Sequence, residues 1–316
     1  MPRNTQETYE KKYRNKKGYF DIAVSHASNI RNHYIFFKRN ERDFDNIVFF
    51  FHGHEMLHLN REYPRPYPYV QKKIRYTILQ DFYDIFKINM WKSYYKKLAS
   101  KSYFVFVSNW IKNKFQENTG LSDDNLLNHC YIINNSVGST FETASYDANI
   151  EKKYDFITIR SNLDGSNYSV DLIVELAKRY PNKKFLLIGR GKFFNYYKKP
   201  DNLDWIGRSL NHEEMVKYLN ISKCGLILTR QDTQGVMTCE LATFGIPVIT
   251  SDIEVCHEFF TNMPNVELID NRLIDSNIVA ISEKLIKGLP YEKNTAYFAE
   301  NTINKELQLF DLIGNK

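Results

Sequence analysis

The feature that most constrains this chain is a repeated alternation of short apolar runs with segments of helical period. Asp21–Ser25, Ile47–Phe51, Tyr103–Val107 and Tyr131–Asn134 are such runs. Their brevity and continuity predict strands buried on both faces, as in parallel sheets. Helical spacing lies between them, over about Ile30–Arg39, Val70–Ala99 and Asn109–Asn118. A polar stretch without periodic apolar residues, Phe141–Lys153, reads as a linker. The alternation then restarts, with strands at Phe156–Arg160, Lys184–Gly189, Asp204–Ile206, Gly225–Leu228, Pro247–Thr250 and Val266–Ile269. Helices are expected over Val170–Tyr180, His212–Asn220, Val236–Phe244, Ile274–Lys287 and Tyr291–Leu312. In the first of these, Val170, Ile173, Val174 and Ala177 fall at i, i+3, i+4 and i+7, which gives one buried stripe. Strand–helix alternation on this scale means βαβ units.

The 316 residues suit two domains. The expected division is 1–150, 151–290 and a closing helical segment 291–316. Ligands of such sheets bind beyond the carboxyl ends of the strands, so the natural site is a cleft between the halves. A hydrophobic content of 43% argues against disorder. No apolar run is long enough for a transmembrane helix, and the first twenty residues lack the apolar core of a signal peptide. The four cysteines, at 130, 224, 239 and 256, form no CxxC pair, which disfavours a zinc site or a disulfide framework. Reduced thiols in a cytoplasmic protein are the expectation. The net charge of +6 is uneven: Arg61–Lys101 holds ten basic residues against three acids. The same segment holds ten aromatics. A solvated helix face and contact with an anionic membrane surface both fit this segment. Nucleic-acid binding is not expected, because no recognition motif accompanies the charge.

The chemistry concentrates in Thr229–Asp252, TRQDTQGVMTCELATFGIPVITSD. It reads strand, loop, helix, turn, strand. Gly235 ends the loop and the helix opens at Val236 and Met237, so its first backbone N–H groups and partial positive charge suit a phosphate. Two acids, Asp232 and Glu240, bracket that N–H nest and are better suited to hydroxyls on either side, such as a sugar and a ribose. Taken alone, the pair also fits a loop acid and a surface helix glutamate.

This stretch resembles the E-x7-E signature of family 4 glycosyltransferases, EGFGLxxxEAMAxGxPVIxSD. Asp232 stands at the first Glu and Glu240 at the second; Gly235, Ala242, Gly245, Pro247, Val248, Ile249, Ser251 and Asp252 match. The DTQGVM form is similar to a branch associated with capsular and exopolysaccharide synthesis. FLLIGRG resembles the family's strand and G-x-G turn, at Gly189, Arg190 and Gly191; LDWIGR resembles the segment facing the nucleotide base, around Ile206. Arg160 ends the first strand of this half, where the family carries an Arg for the donor diphosphate. The family's partner Lys is absent from RSNLDGSNYS, and either Arg190 or Lys192 supplies the second charge. In the first half, FVFVSNWIKNKF and YIINNSVGSTF resemble the family's passage into its linker. FHGHE resembles its strand-end His, which lies over the donor sugar; His52 is the candidate, with His54 and His58 nearby.

The resemblance implies a GT-B-like fold of two Rossmann-like domains, acceptor side first and nucleotide-sugar side second. The last helix is expected to pack back on the first domain. It implies retaining transfer from a nucleotide-diphosphate sugar to a glycan or polyprenyl-linked acceptor; no DxD-like metal motif is placed at a strand end, so no metal or other cofactor is expected. His52 and Asp232 are then the catalytic candidates. Arg160, Gly189, Arg190, Gly191, Ile206, Gly235, Val236, Met237 and Glu240 are the donor-binding ones. The family's opening strand and glycine-rich loop have no counterpart before Asp21, so the first domain is expected to be abbreviated. That departure keeps a second reading open, a non-catalytic subunit that binds a glycosyltransferase or a glycan. The expected location is the cytoplasm, with peripheral attachment to the inner face of the cell membrane as the further option that the basic-aromatic segment leaves open.

Overall fold

The computed structural model describes residues 20–70, 78–273 and 277–314. Ile274 and, from the basic segment, Lys72, Lys73, Arg75 and Tyr76 lie outside the described residues. The order is β1 (Phe20–His26), α1 (Ile35–Asn40), β2 (Phe44–Phe51), α2 (Leu59–Glu62), α3 (Ile78–Lys97), β3 (Ser102–Phe106), α4 (Asn109–Thr119) and β4 (Cys130–Ile132). Then come α5 (Ser139–Thr143), β5 (Tyr154–Asn162), α6 (Val170–Arg179), β6 (Phe185–Arg190), β7 (Leu203–Ile206), α7 (His212–Asn220) and β8 (Ser222–Ile227). The chain closes with α8 (Val236–Phe244), β9 (Val248–Ser251), α9 (Glu254–Phe260), β10 (Val266–Ile269), α10 (Ile278–Lys287) and α11 (Ala299–Gly314). Two compact units emerge. Residues 20–59, 78–134 and 303–314 form one; 60–70, 135–273 and 277–302 form the other.

The first unit is built on a parallel sheet of order β1-β2-β3-β4. Each strand adds on the same side, so right-handed crossovers put the connecting helices on one face. Strand alternation then sorts the core in two. Phe49 and Phe51 stack on their register partners Phe104 and Phe106, with ring centroids 5.8 and 4.9 Å apart. Tyr95 and Phe115, from α3 and α4, pack edge-on against the same rings. Val48, Phe50, Tyr103 and Val105 line the opposite face and meet Leu309 and Ile313 of α11.

The second unit carries a parallel sheet of order β10-β9-β8-β5-β6-β7. From β5 the chain winds one way through β6 and β7, then returns to the other side of β5 with β8. The reversal between β5 and β8 is the point where an open α/β sheet leaves a crevice at its strand ends. α6 buries the expected stripe, with Val170, Ile173, Val174 and Ala177 all buried. The expected linker, Phe141–Lys153, begins with the end of α5 and continues as loop.

Candidate functional site

The carboxyl ends of β5 and β8 bring together the residues on which the second-unit site rests. Pairing of Phe156 with Cys224 and of Ile157 with Gly225 runs on toward Arg160 and Leu228. There the Arg160 Nη2 donates to the Leu228 carbonyl at 2.5 Å. The guanidinium lies 5.2 Å from the centre of the Tyr168 ring, a cation–π distance. Arg160 is buried, yet its Nε has no hydrogen-bond partner. Burial weakens its hold on the proton and the nearby Asp232 charge opposes that, while the group stays cationic. A buried cation with a spare donor is suited to receiving an anion.

Two backbone features shape the place. Gly189 has φ +153°, and a Cβ there would fall 2.2 Å from the Arg160 carbonyl oxygen. Glycine is what lets the β6 turn press against the end of β5. The Trp205 indole donates to the Gly189 carbonyl at 3.0 Å and ties β7 to the same turn. Gly235, at φ +72°, lets the β8 loop enter α8 through a left-handed step. Asp232 Oδ1 accepts from the N–H groups of Thr233 at 2.8 Å and Gly235 at 3.0 Å. So the first acid braces the loop that delivers the helix, a role beyond the sugar contact read from the sequence. Helix geometry leaves the next amides, those opening α8, without intrahelical partners.

Glu240 lies one turn into α8, buried. Its Oε1 accepts from the Gly138 N–H at 3.3 Å and stands 3.6 Å from His212 Nε2. Burial pushes the Glu240 carboxyl above the usual glutamate range; His212 and the Gly138 hydrogen bond oppose that. The Asn211–Glu214 capping box starts α7 and sets His212 at its first position. Gln234 fastens the segment after β4: it accepts from the backbone and side-chain N–H groups of Asn135 at 2.7 and 2.8 Å, and returns a bond to the Asn135 carbonyl at 2.8 Å. Among the remaining candidates, Gly191 follows the β6 turn and Ile206, Val236 and Met237 are half-buried. Arg190 and Lys192 are exposed at the carboxyl end of β6. Arg230, inside the signature, is not available to a phosphate, because it makes a bidentate pair with Asp171 at 2.7 Å for each bond.

In the first unit, His52 follows the last residue of β2. Glu55 accepts from the N–H groups of His52 at 3.1 Å and Gly53 at 2.7 Å and so fixes the turn. His52 Nε2 lies 2.9 Å from His26 Nδ1, and the rings stack with centroids 5.2 Å apart. Burial, and then the nearby His52, hold His26 below the usual imidazole range. His26 went unnoticed in the sequence because parallel register alone brings the ends of β1 and β2 together. His54 is exposed and His58 half-buried.

The basic-aromatic segment is not one surface. Tyr67, Trp91, Tyr94 and Tyr95 are core residues, and Tyr69 stacks on Tyr196 with centroids 4.3 Å apart. They give no interfacial anchoring. Lys87 is buried against Asp84, and Lys101 donates to the carbonyls of Glu41 and Phe44. No helix among the described residues is long and apolar enough to cross a membrane.

Comparison with known proteins agrees with this arrangement. The model of the family described as glycosyl transferases group 1 matches residues 143–305, just over half of the chain. Among solved structures, the chain is similar to sucrose-phosphate synthase from Thermosynechococcus elongatus, with 12% identity, 99% of this chain and 77% of that one covered, and a TM-score of 0.65. It is similar to a glycosyltransferase from Rickettsia africae ESF-5, with 12% identity, coverage of 98% and 79%, and a TM-score of 0.60. The pneumococcal O-GlcNAc transferase GtfA, solved with UDP and GlcNAc, follows at 12% identity and a TM-score of 0.53, with 93% of this chain and 57% of that one covered. These likenesses establish a GT-B-like fold of two Rossmann-like domains. No curated protein sequence matches the chain.

Proposed function

The chain belongs to the family of group 1 glycosyl transferases, and from that premise we propose that it moves a sugar from a nucleoside-diphosphate donor to a glycan or polyprenyl-linked acceptor, with retention, in surface-polysaccharide synthesis. The observation that carries this reading is the meeting, at the β5/β8 reversal, of the buried Arg160 with the loop that opens α8. As the glycosidic bond breaks, its electron pair moves to the leaving diphosphate. The Arg160 guanidinium and the α8 amides stabilise that charge as it grows. Arg190 or Lys192 adds a second cation. These protein cations suffice in this reading, so a chelator leaves turnover unchanged.

Asp232 spends Oδ1 on its own loop and gives Oδ2 to the donor-sugar hydroxyls. Glu240 spends Oε1 on Gly138 and gives Oε2 to the ribose. The Gly189–Gly191 turn and Ile206 receive the rest of the nucleotide. His52 contacts the sugar and His26 orients it. The acceptor is presented at the inner face of a membrane. Uridine is the first base to try, since the structurally similar pneumococcal enzyme was solved with UDP.

The test is titration of the purified chain with UDP-, GDP-, ADP- and dTDP-sugars, followed by an assay for nucleotide release and by NMR of the product anomer. One donor is expected to bind, turn over and keep its anomeric configuration. Binding of none of them contradicts the reading, and binding without turnover favours a non-catalytic subunit.

A further inference from the structure

Separate features of the second unit seat His212 beside Glu240. The Asn211–Glu214 capping box fixes the first turn of α7, and Arg208 donates to both oxygens of the same Glu214 carboxylate, at 3.0 and 2.7 Å. Phe141, a buried residue of α5, places its ring 5.1 Å from the imidazole. Gly138 supplies the room. Its φ of −66° and ψ of 143° suit any residue, so conformation does not call for glycine there. Space does: a Cβ at 138 would fall 2.3 Å from His212 Cε1 and 2.3 Å from its Nδ1. One more carbon at 138 would push the ring away from Glu240.

The gap held in this way is 3.6 Å, from His212 Nε2 to Glu240 Oε1. It is beyond hydrogen-bond length, yet short enough for one hydroxyl to reach both atoms. Such a hydroxyl donates its proton to Oε1 and accepts the N–H of Nε2. Oε1 has the capacity for it, since the Gly138 N–H, at 3.3 Å, uses one of its two lone pairs. A carboxylate alone only accepts; the imidazole beside it adds a donor. Two adjacent hydroxyls match the pair, one on Oε2 and the other between Oε1 and Nε2. We propose that His212 and Glu240 together grip both hydroxyls of the donor ribose, so that His212 selects ribonucleoside over deoxyribonucleoside diphosphates. This rests on the donor site proposed above and adds to it a residue and a substrate class. A hydroxyl removed from the ribose leaves the buried Glu240 oxygen or the imidazole N–H without its partner, which is the basis of discrimination.

Calorimetry of the full chain with UDP, GDP and ADP, and with the 2′-deoxy and 3′-deoxy forms of each, tests it. For the base that the protein accepts, the ribonucleotide should bind wild type more tightly than either deoxy form. His212→Ala should weaken the ribonucleotide by about threefold to tenfold and leave one of the deoxy forms unchanged, because that form already lacks the bridging hydroxyl. Gly138→Ala keeps the backbone N–H but displaces the ring, so it should reproduce the loss. The double variant should then be no weaker than either single one. A His212→Ala loss of equal size for the ribonucleotide and both deoxy forms would make the imidazole a packing residue and overturn the proposal, with the donor site standing. Unchanged affinity for all three would overturn it in the same way. Failure of every ribonucleotide to bind folded wild type would overturn the donor site, and the proposal with it.

Discussion

Two loops in this chain, one in each unit, are made by the same device and suited to opposite chemistries. The turn after β2 and the loop after β8 both leave the carboxyl end of a parallel strand. Both are fixed by one carboxylate that accepts two backbone N–H groups, Glu55 in the first and Asp232 in the second. The loop after β8 lies where the sheet order reverses and leads into a helix, beside a buried arginine. In the proposed reaction it takes the anionic charge of the donor. The turn after β2 belongs to a sheet that never reverses, and it presents two imidazoles that share a hydrogen bond. In the proposed reaction it meets the sugar hydroxyls. A carboxylate brace thus fixes loop shape, while the sheet order and the neighbouring cation decide what the loop can hold.

Substitution at the cation should break the contrast most strongly. Arg160→Met removes charge-assisted hydrogen bonds worth about 1.5–3 kcal/mol, so nucleoside diphosphate affinity by calorimetry should fall about tenfold to 150-fold. Unchanged affinity would mean that the arginine serves only the Leu228 carbonyl and Tyr168. Asp232→Asn keeps an oxygen for the Gly235 N–H but loses the charge. Turnover should drop about tenfold or more, with binding of the bare nucleotide nearly intact. Equal losses in both would make Asp232 a loop brace alone. His52→Ala should likewise slow turnover by about tenfold while sparing nucleotide binding. The smallest effect should come from His26→Phe, about twofold to tenfold in kcat, with His26→Gln restoring part of it through a retained hydrogen bond. A phenylalanine variant with wild-type kcat would leave the imidazole pair without a role in the reaction.

Much of the second unit was legible in the sequence. Helices α7 and α8 and strand β10 begin and end where their apolar spacing and flanking residues place them. The signature around Asp232 and Glu240 lies on one continuous strand–loop–helix, so its parts are adjacent in sequence as well as in space. What escaped depends on contacts between distant segments. His26 meets His52 only through β1–β2 register, and His212 meets Glu240 only once α7 and α8 share one unit. The face of α3 escaped for another reason. Aromatics recur all round that helix, so spacing cannot say which enter the core. Only the buried Asp84–Lys87 pair, satisfied by the 54–59 backbone, turns Trp91 and Tyr95 inward and Phe82 and Phe86 outward.

The central claim, that a donor nucleotide lies across the opening of α8 with its ribose on Glu240, is tested most directly by titrating nucleoside diphosphates into wild-type protein, Glu240→Ala and Glu240→Gln over a range of pH. Burial raises the Glu240 pKa, so the accepting carboxylate is lost as pH falls through that raised value. That loss occurs at a higher pH than an exposed glutamate would give. His212 is the titratable neighbour facing it, and it is unchanged in both variants. The account predicts affinity about tenfold or more weaker for Glu240→Ala at neutral pH. It also predicts a wild-type affinity that falls on acidification more steeply than that of Glu240→Gln. Equal affinities at neutral pH for folded wild type and Glu240→Ala, with superimposable pH profiles for wild type and Glu240→Gln, would contradict it.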